Sequence, residues 1–306
     1  MQSTIFIIGA GAIGKVLAVS LALENKKVIL IRGSVDHQPA RKEKIHVRLN
    51  DQTELAAEIE ISTFSQFPVL DGIIVLTNKS YGNEELTKIL KPRVKDSPLV
   101  LLQNGLGVEQ TFLDNDFQGI YRCVLFATSQ PISENQLKFK PVAVSPIGII
   151  KGTPTELEKL VAQVNSTHFP FRAEADIQPI IWKKAITNCV FNSICPLLET
   201  DNGIFHREPG VLALAKQVIE ECTAIAREKG IFLQAQEVLD SLLLISKSSD
   251  GQLISTFQDI KNKRRTEIET LNFEIARIAA TLHKEDNVKQ TRILGELVKW
   301  KSDLSR

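Results

Sequence analysis

Three constellations in this 306-residue chain have the residue types and spacing to do chemistry. The first is Gly9-Ala10-Gly11-Ala12-Ile13-Gly14, between the apolar run Ile5–Ile8 and the apolar stretch Val16–Leu23. A glycine-x-glycine-x-x-glycine turn from strand to helix suits a dinucleotide. The first glycine allows the tight turn, the second lets backbone approach a pyrophosphate, and the third lets helix pack close to strand. The helix N-terminus then presents unbonded N–H groups and a partial positive charge to the phosphates. All six residues are candidate cofactor contacts. A glycine-rich turn without a ligand is the competing reading.

The second constellation is Arg32-Gly33-Ser34, at the end of the apolar run Val28–Ile31. A NAD site usually ends its second strand with a carboxylate that holds the ribose 2′-hydroxyl. A guanidinium instead forms a charge-assisted fork on a 2′-phosphate. Arg32 therefore predicts NADP over NAD, unless it is a solvated loop cation.

The third is Lys184, Asn188 and Asn192, spaced four apart within the mostly apolar Ile180–Asn192. On a helix they form one stripe. A buried ammonium and two buried amides are costly without partners. A ligand with a carboxylate, a carbonyl and hydroxyls would provide them, whereas an amphipathic helix would simply turn the stripe to water. Ser255-Thr256-Phe257-Gln258 is either another polar wall or a Ser-x-x-Gln capping box. Thr266-Glu267-Ile268-Glu269 has a similar form but falls inside an expected helix. Asn104, in Gln103-Asn104-Gly105-Leu106-Gly107, either bridges cofactor and substrate or takes a left-handed turn conformation.

The elements that must position these residues follow from apolar spacing. Strands are expected at Thr4–Ile8, Lys27–Ile31, Gly72–Leu76, Leu99–Leu102, Tyr121–Ala127, Gln136–Lys140, Val142–Ile149 and Phe169–Ala173. Val47–Asn50 and Leu55–Ile61 read as a more polar, antiparallel pair, and Thr155–Asn165 reads as a helix. Alternation of strand and helix predicts an α/β domain, a doubly wound parallel sheet of Rossmann type, with its ligand crevice at the strands' C-terminal ends. Beyond about residue 176 only helical patterns remain: Ile177–Phe191, Gly210–Lys229, Gln234–Lys247, Ser255–His283 and Asn287–Trp300. The expected division is 1–175 for an NADP-binding domain and 176–306 for an all-helical one.

Composition excludes several classes. With 43% hydrophobic and 24% charged residues and a net charge of +1, the chain has no general field to draw nucleic acid or an anionic membrane. No apolar stretch approaches a membrane span, and no basic leader precedes the first strand. Cys123, Cys189, Cys195 and Cys222 are scattered, form no Cys-x-x-Cys pair and suit buried thiols in a reducing cytoplasm, with no metal site. The sequence leaves a homodimer open.

Together these pieces resemble the ketopantoate reductase (2-dehydropantoate 2-reductase) family over nearly the whole chain. The likeness rests on Gly-Ala-Gly-Ala-Ile-Gly at 9–14, Arg32, Thr77-Asn78-Lys79-Ser80, Gln103-Asn104-Gly105-Leu106-Gly107 and Trp182-Lys183-Lys184 with Asn188 and Asn192. Asn202-Gly203, Ser255-x-x-x-Asp259 and Arg265-Thr266-Glu267-Ile268-Glu269 complete it. The resemblance implies NADPH-dependent reduction of ketopantoate to pantoate, a step towards pantothenate and coenzyme A, by a cytoplasmic enzyme. It makes Lys184 the proton donor and Glu267 the residue that holds Lys184 and the cofactor ribose. It makes Asn188, Asn192, Asn202 and Ser255 substrate ligands, with Lys79 and Asn104 lining cofactor and cleft. Ser193, Thr256 and Phe273 depart from the family pattern and point to an altered pocket wall. Another branched 2-oxo acid is therefore an alternative substrate, and a catalytically silent NADPH sensor is an alternative function.

Overall fold

A computed structural model describes residues 3–306. The strands are β1 (Thr4–Ile8), β2 (Val28–Ile31), β3 (Arg41–Leu49), β4 (Glu54–Ser62), β5 (Gly72–Leu76), β6 (Leu99–Leu101), β7 (Ile120–Cys123), β8 (Ala127–Ser133), β9 (Gln136–Pro141), β10 (Ser145–Lys151) and β11 (Phe171–Glu174). Among them lie the helices α1 (Ala12–Ala22), α2 (Asn83–Leu90), α3 (Gln110–Asp114) and α4 (Pro154–Val164). Then come α5 (Gln178–Leu197), α6 (Ile204–Arg207), α7 (Pro209–Glu228), α8 (Ala235–Ser248), α9 (Ser255–Lys261), α10 (Asn272–Thr281) and α11 (Lys289–Leu304). The chain divides into two compact units at Ile177/Gln178, and Gly105–Gly107 go with the second.

The first unit is built on one sheet of order β11-β10-β7-β6-β5-β1-β2-β4-β3-β9-β8. Its centre, from β7 to β4, is parallel throughout. The central strands are continuous apolar runs because both faces are covered. Ile5, Ile7, Leu30, Val75 and Val100 pack on one face with Leu17 and Leu21 of α1 and Leu157 and Leu160 of α4. Phe6, Ile8, Ile31, Leu76 and Leu101 pack on the other with Leu86 of α2 and Phe112 of α3. This is the expected doubly wound sheet, extended on both flanks. The polar pair β3 and β4 is antiparallel as expected, and β8–β9 adds a hairpin beyond it.

The break between β9 and β10 falls later and is wider than expected, at residues 142–144. Val142 and Val144 are exposed, and β10 starts only at Ser145. The exposed valines belong to the connection, so their β-branched type misleads.

The second unit is helical. Pro209 opens α7, where a missing N–H costs nothing, and Ala215, Val218, Ile219, Cys222, Ile225 and Ala226 give it a buried stripe. The expected helix Ser255–His283 is a correction: it breaks into α9, a short 3-10 turn at Ile268–Thr270, and α10. Lys263 adopts a left-handed φ of 55°. Arg264 N–H donates back to the Asp259 carbonyl at 2.8 Å and Lys263 N–H to Ile260 at 3.0 Å. That is the Schellman pattern of helix termination, with lysine where glycine is usual. Glu267 therefore lies in the connection, outside any helix. No helix among the described residues is long and apolar enough to cross a membrane.

Candidate active site

In the first unit the β1–α1 turn is shaped by close backbone approach. Gly9 has φ 117°, and a Cβ there would lie 2.6 Å from the Asn78 nitrogen. A Cβ on Gly14 would run into the Gly9 carbonyl. Thr77, just after β5, locks this turn: its hydroxyl donates to the Gly9 carbonyl at 2.8 Å and its N–H to Ile8 at 2.8 Å. Gly11 is different, with no atom near the Cβ it lacks. It caps α1 without a side-chain hydrogen bond, and no acidic residue sits in the first turn. An open glycine before an uncapped helix N-terminus free of carboxylates fits a bound pyrophosphate.

Arg32 stands at the C-terminal end of β2. Its N–H donates to the Ser62 carbonyl at 2.9 Å, and its guanidinium donates to Gln38 Oε1 at 2.8 Å. The loop beyond is fastened by Asp36, whose carboxylate accepts the N–H groups of His37 and Ser65, both at 2.8 Å. Burial opposes ionisation of Asp36, yet these bonds hold its pKa down at about 2. Lys79 follows β5 and Asn104 follows β6; both are exposed. Asn104 is not in the left-handed region. That conformation falls to Gly105 (φ 97°) and Gly107 (φ 67°), which removes the turn-former reading of Asn104. The 9–14 turn, Arg32, Lys79 and Asn104 thus share one edge of the parallel strands, their C-terminal ends.

Behind the loops after β5 and β6 lies a polar network that the sequence reading missed. Gln103 Nε2 donates to the Asn78 carbonyl at 3.0 Å and to Asn83 Oδ1 at 2.7 Å, and Asn83 Nδ2 donates to Gln103 Oε1 at 2.8 Å. Arg122, fully buried in β7, pairs with Glu109 and reaches the Gln103 carbonyl at 3.4 Å. The available signal was an arginine inside an apolar strand, which needs a buried partner.

In the second unit, α5 carries the polar stripe. Asn192 is buried, while Lys184 and Asn188 are half-buried. Neither a wholly buried nor a wholly solvated stripe describes it. Asn192 is tied into the fold: Nδ2 donates to the Asn188 carbonyl at 3.0 Å. Its Oδ1 accepts from the Ser255 hydroxyl and the Thr256 N–H, both at 3.3 Å. Ser255 is the first residue of α9 and makes no capping bond, so the capping-box alternative falls. Asn202 is buried too. Its Nδ2 donates to Ser249 Oγ at 3.2 Å, its N–H to Gln252 at 2.9 Å, and its Oδ1 has no partner. Beside it, the two carboxylate oxygens of Asp201 accept from Nη2 of Arg207, at 2.9 and 3.0 Å, while Nη1 donates to Asp250, and Asp201 also accepts the Gly203 N–H at 2.7 Å. The Arg207 pairing holds the Asp201 carboxyl down at about 2.

All four cysteines are buried and unbridged. Burial pushes the Cys195 thiol up to about 12, and that of Cys189 well above its usual value. A cavity of about 780 Å³ opens at the opposite, N-terminal ends of β5, β6 and β7. Ser97, Glu156 and Lys159 line it, and none of the candidate residues does.

A parallel sheet wound on both faces, an open glycine turn at its switch point and a separate helical unit define a Rossmann-type protein with a helical C-terminal unit. The profile of the ketopantoate reductase PanE/ApbA family matches residues 5–139, and its C-terminal counterpart matches 176–301. The chain belongs to the ketopantoate reductase family. It is 28% identical over 303 residues to 2-dehydropantoate 2-reductase of Pyrococcus abyssi, covering 98% of each chain. Its fold is similar to that of a dimeric ketopantoate reductase from Staphylococcus aureus (TM-score 0.82, 19% identity, 99% and 100% of the chains). It is equally similar to D-mandelate dehydrogenase in a ternary structure with NADH and anilino(oxo)acetate (TM-score 0.84, 22% identity, 99% of each).

Proposed function

We propose that this protein is an NADPH-dependent 2-dehydropantoate 2-reductase, acting in the cytoplasm as a homodimer. Residues 1–175 would serve the cofactor and 176–306 the substrate and the proton. The observation that carries the cofactor part is the open Gly11 before an uncapped α1, with Arg32 rather than a carboxylate closing β2. Gly9–Gly14 hold the pyrophosphate, Arg32 forks onto the 2′-phosphate, and Lys79 and Asn104 flank the dinucleotide. When bound, a reduced nicotinamide would supply the hydride that the carbonyl carbon of a 2-oxo acid needs. The Lys184 ammonium polarises that carbonyl and gives its proton to the oxygen as negative charge develops. Its stabilisation therefore grows from ground state to transition state. Glu267 orients Lys184 and the ribose. Asn188, Asn192, Asn202 and Ser255 bind substrate carboxylate and hydroxyl groups. The unpartnered Oδ1 of Asn202 supports an acceptor role towards a hydroxyl.

Asn192 favours a second reading of the substrate. Its amide oxygen is engaged by Ser255 and Thr256 and one of its N–H groups by Asn188, which leaves one N–H for the substrate and makes Ser255 part of the same wall. The pocket wall then differs from the expected one, and another branched 2-oxo acid fits the same chemistry. The test is NADPH oxidation with ketopantoate beside a panel of 2-oxo acids, with NADH in parallel and Arg32→Ala as the cofactor control. Preference for ketopantoate and NADPH is expected, with Arg32→Ala losing NADPH far more than NADH. Turnover of another acid alone moves the reading to that substrate. Tight NADPH binding without any turnover would leave only a sensor.

A further inference from the structure

The helix α11 is packed the wrong way round for an ordinary surface helix. Its inner face consists of Thr291, Gly295, Val298 and Ser302, all buried. Val298 packs there with Ile260 and Ile268, and the rest of the face is held by small size and hydrogen bonds. A Cβ on Gly295 would lie 2.9 Å from the Cβ of Asn272, so α11 lies close on α10. Asn272 Nδ2 donates to the Thr291 carbonyl at 3.0 Å. The Glu221 carboxylate accepts the N–H groups of Gln290 (3.0 Å) and Thr291 (2.8 Å) and the Thr291 hydroxyl (2.7 Å), which fixes the start of the helix.

The large apolar residues lie on the opposite face. Ile293 is 50% exposed, Leu297 41%, Trp300 58% and Leu304 88%. Surface helices turn such a stripe to the core and polar residues to water. Here the order is reversed, and a contiguous apolar strip facing water marks an interaction surface. The spacing of 4, 3 and 4 is the seam of a coiled coil, which suits a second helix.

We propose that this face pairs with α11 of a second copy of the chain, the two helices running parallel about a two-fold axis. The flanking charges select this occupant and direction. With the apolar residues at the seam, Glu296 and Asp303 fall on one flank, and Leu294 and Lys301 on the other. Parallel pairing sets Glu296 against the partner's Lys301, twice by symmetry. Antiparallel pairing sets Glu296 against the partner's Asp303, a like charge. In the single chain Glu296 faces Arg292 at 3.7 Å and Lys301 holds Glu199 at 2.7 Å. Both are surface pairs of small worth, so exchanging them costs little. Mixed charge along the flanks does not suit an anionic lipid surface, which asks for a basic one. The proposal rests on the homodimer of the preceding section and not on its chemistry. Four seam residues fall well short of the roughly 20–30 residues per side of a standard interface, so the association is reversible.

The test is sedimentation velocity of the full chain from about 1 to about 100 μM, a range spanning weak association. The expected mass rises from the 34.1 kDa of one chain towards twice that value. Trp300→Glu and Leu304→Glu, with unchanged circular dichroism, are each expected to raise the dimer Kd at least about tenfold. Glu296→Lys and Lys301→Glu each weaken the dimer, and the double swap restores it. A wild-type chain that stays monomeric throughout overturns the proposal, as does one that instead pellets with phosphatidylserine vesicles. A dimer indifferent to Trp300→Glu and Leu304→Glu overturns the surface. Failure of the double swap to recover overturns the parallel pairing. None of these outcomes depends on turnover, so the reductase reading is judged separately.

Discussion

At the scale of single residues, Lys184 carries the sharpest expectation. If its ammonium delivers the proton, Lys184→Ala should lower kcat by about 100- to 10,000-fold, the usual range for a positioned acid. The dissociation constant for NADPH, followed by nicotinamide fluorescence, should stay near wild type. Equal losses in both would make Lys184 a binding residue, and unchanged kcat would remove it from the reaction. Arg32, Lys184 and the asparagines were legible in the sequence because each is a polar type at a position whose period or strand end demands explanation. The burden on Asn192 was not legible. Its neighbours Ser255 and Thr256 lie over sixty positions away, and only the fold shows that they occupy its amide. Arg122 shows the same limit: an arginine in a strand announces a buried partner but does not identify Glu109.

At the scale of elements, the glycine turn separates folding from binding. Gly14→Ala forces a methyl against the Gly9 carbonyl, part of a turn already locked by Thr77. A loss of at least about 1–3 kcal/mol is expected, read as a lower melting temperature. Gly11→Ala meets nothing in the protein and should cost less than about 1 kcal/mol as a poorer helix cap. Its dinucleotide affinity should nevertheless fall at least about tenfold, since the methyl stands where the phosphates approach. If Gly11→Ala binds NADPH like wild type, the pyrophosphate lies elsewhere. The same comparison explains which elements the sequence revealed. Strands covered on both faces and helices with a 3.6 period announce themselves. The end of α9 did not, because Lys263 takes a left-handed conformation that sequence assigns to glycine. Likewise the break between β9 and β10 was legible but its extent was not, because exposed valines in the connection read as strand.

At the scale of the molecule, acid stability should show one specific step. Asp201 gains its Arg207 partner on folding, and its pKa drops to about 2, from roughly 3.9 for a free aspartate. A depressed folded value stabilises the protein above the unfolded value, and that stability is lost as pH falls from about 4 towards 2. The difference in melting temperature between wild type and Arg207→Ala should therefore be full at neutral pH and shrink across that window. A difference constant down to pH 2 would show that the ion pair contributes nothing. Two of the bonds at risk, from Asp201 to the N–H groups of Gly203 and Gly251, join the loops after α5 and α8. The doubly wound core was legible because a glycine turn and buried strands constrain it twice. The edge strand β8 was harder, since it has no buried apolar residue to mark it, whereas β9 buries Leu137 and Phe139 and was expected.

Gly105–Gly107 have a consequence for anyone who would treat the protein as modular. These three residues fall early in the chain but belong with the later unit, where Leu106 N–H donates to the Thr270 carbonyl at 2.8 Å. A fragment ending at Ile177 would present a buried leucine and an unanswered amide to water. Recombining the front half of one family member with the back half of another by a single crossover would mismatch that tripeptide with its acceptor. Successful chimaeras should carry residues 105–107 from the donor of the C-terminal half, so that inheritance follows the packing and not the order of the chain.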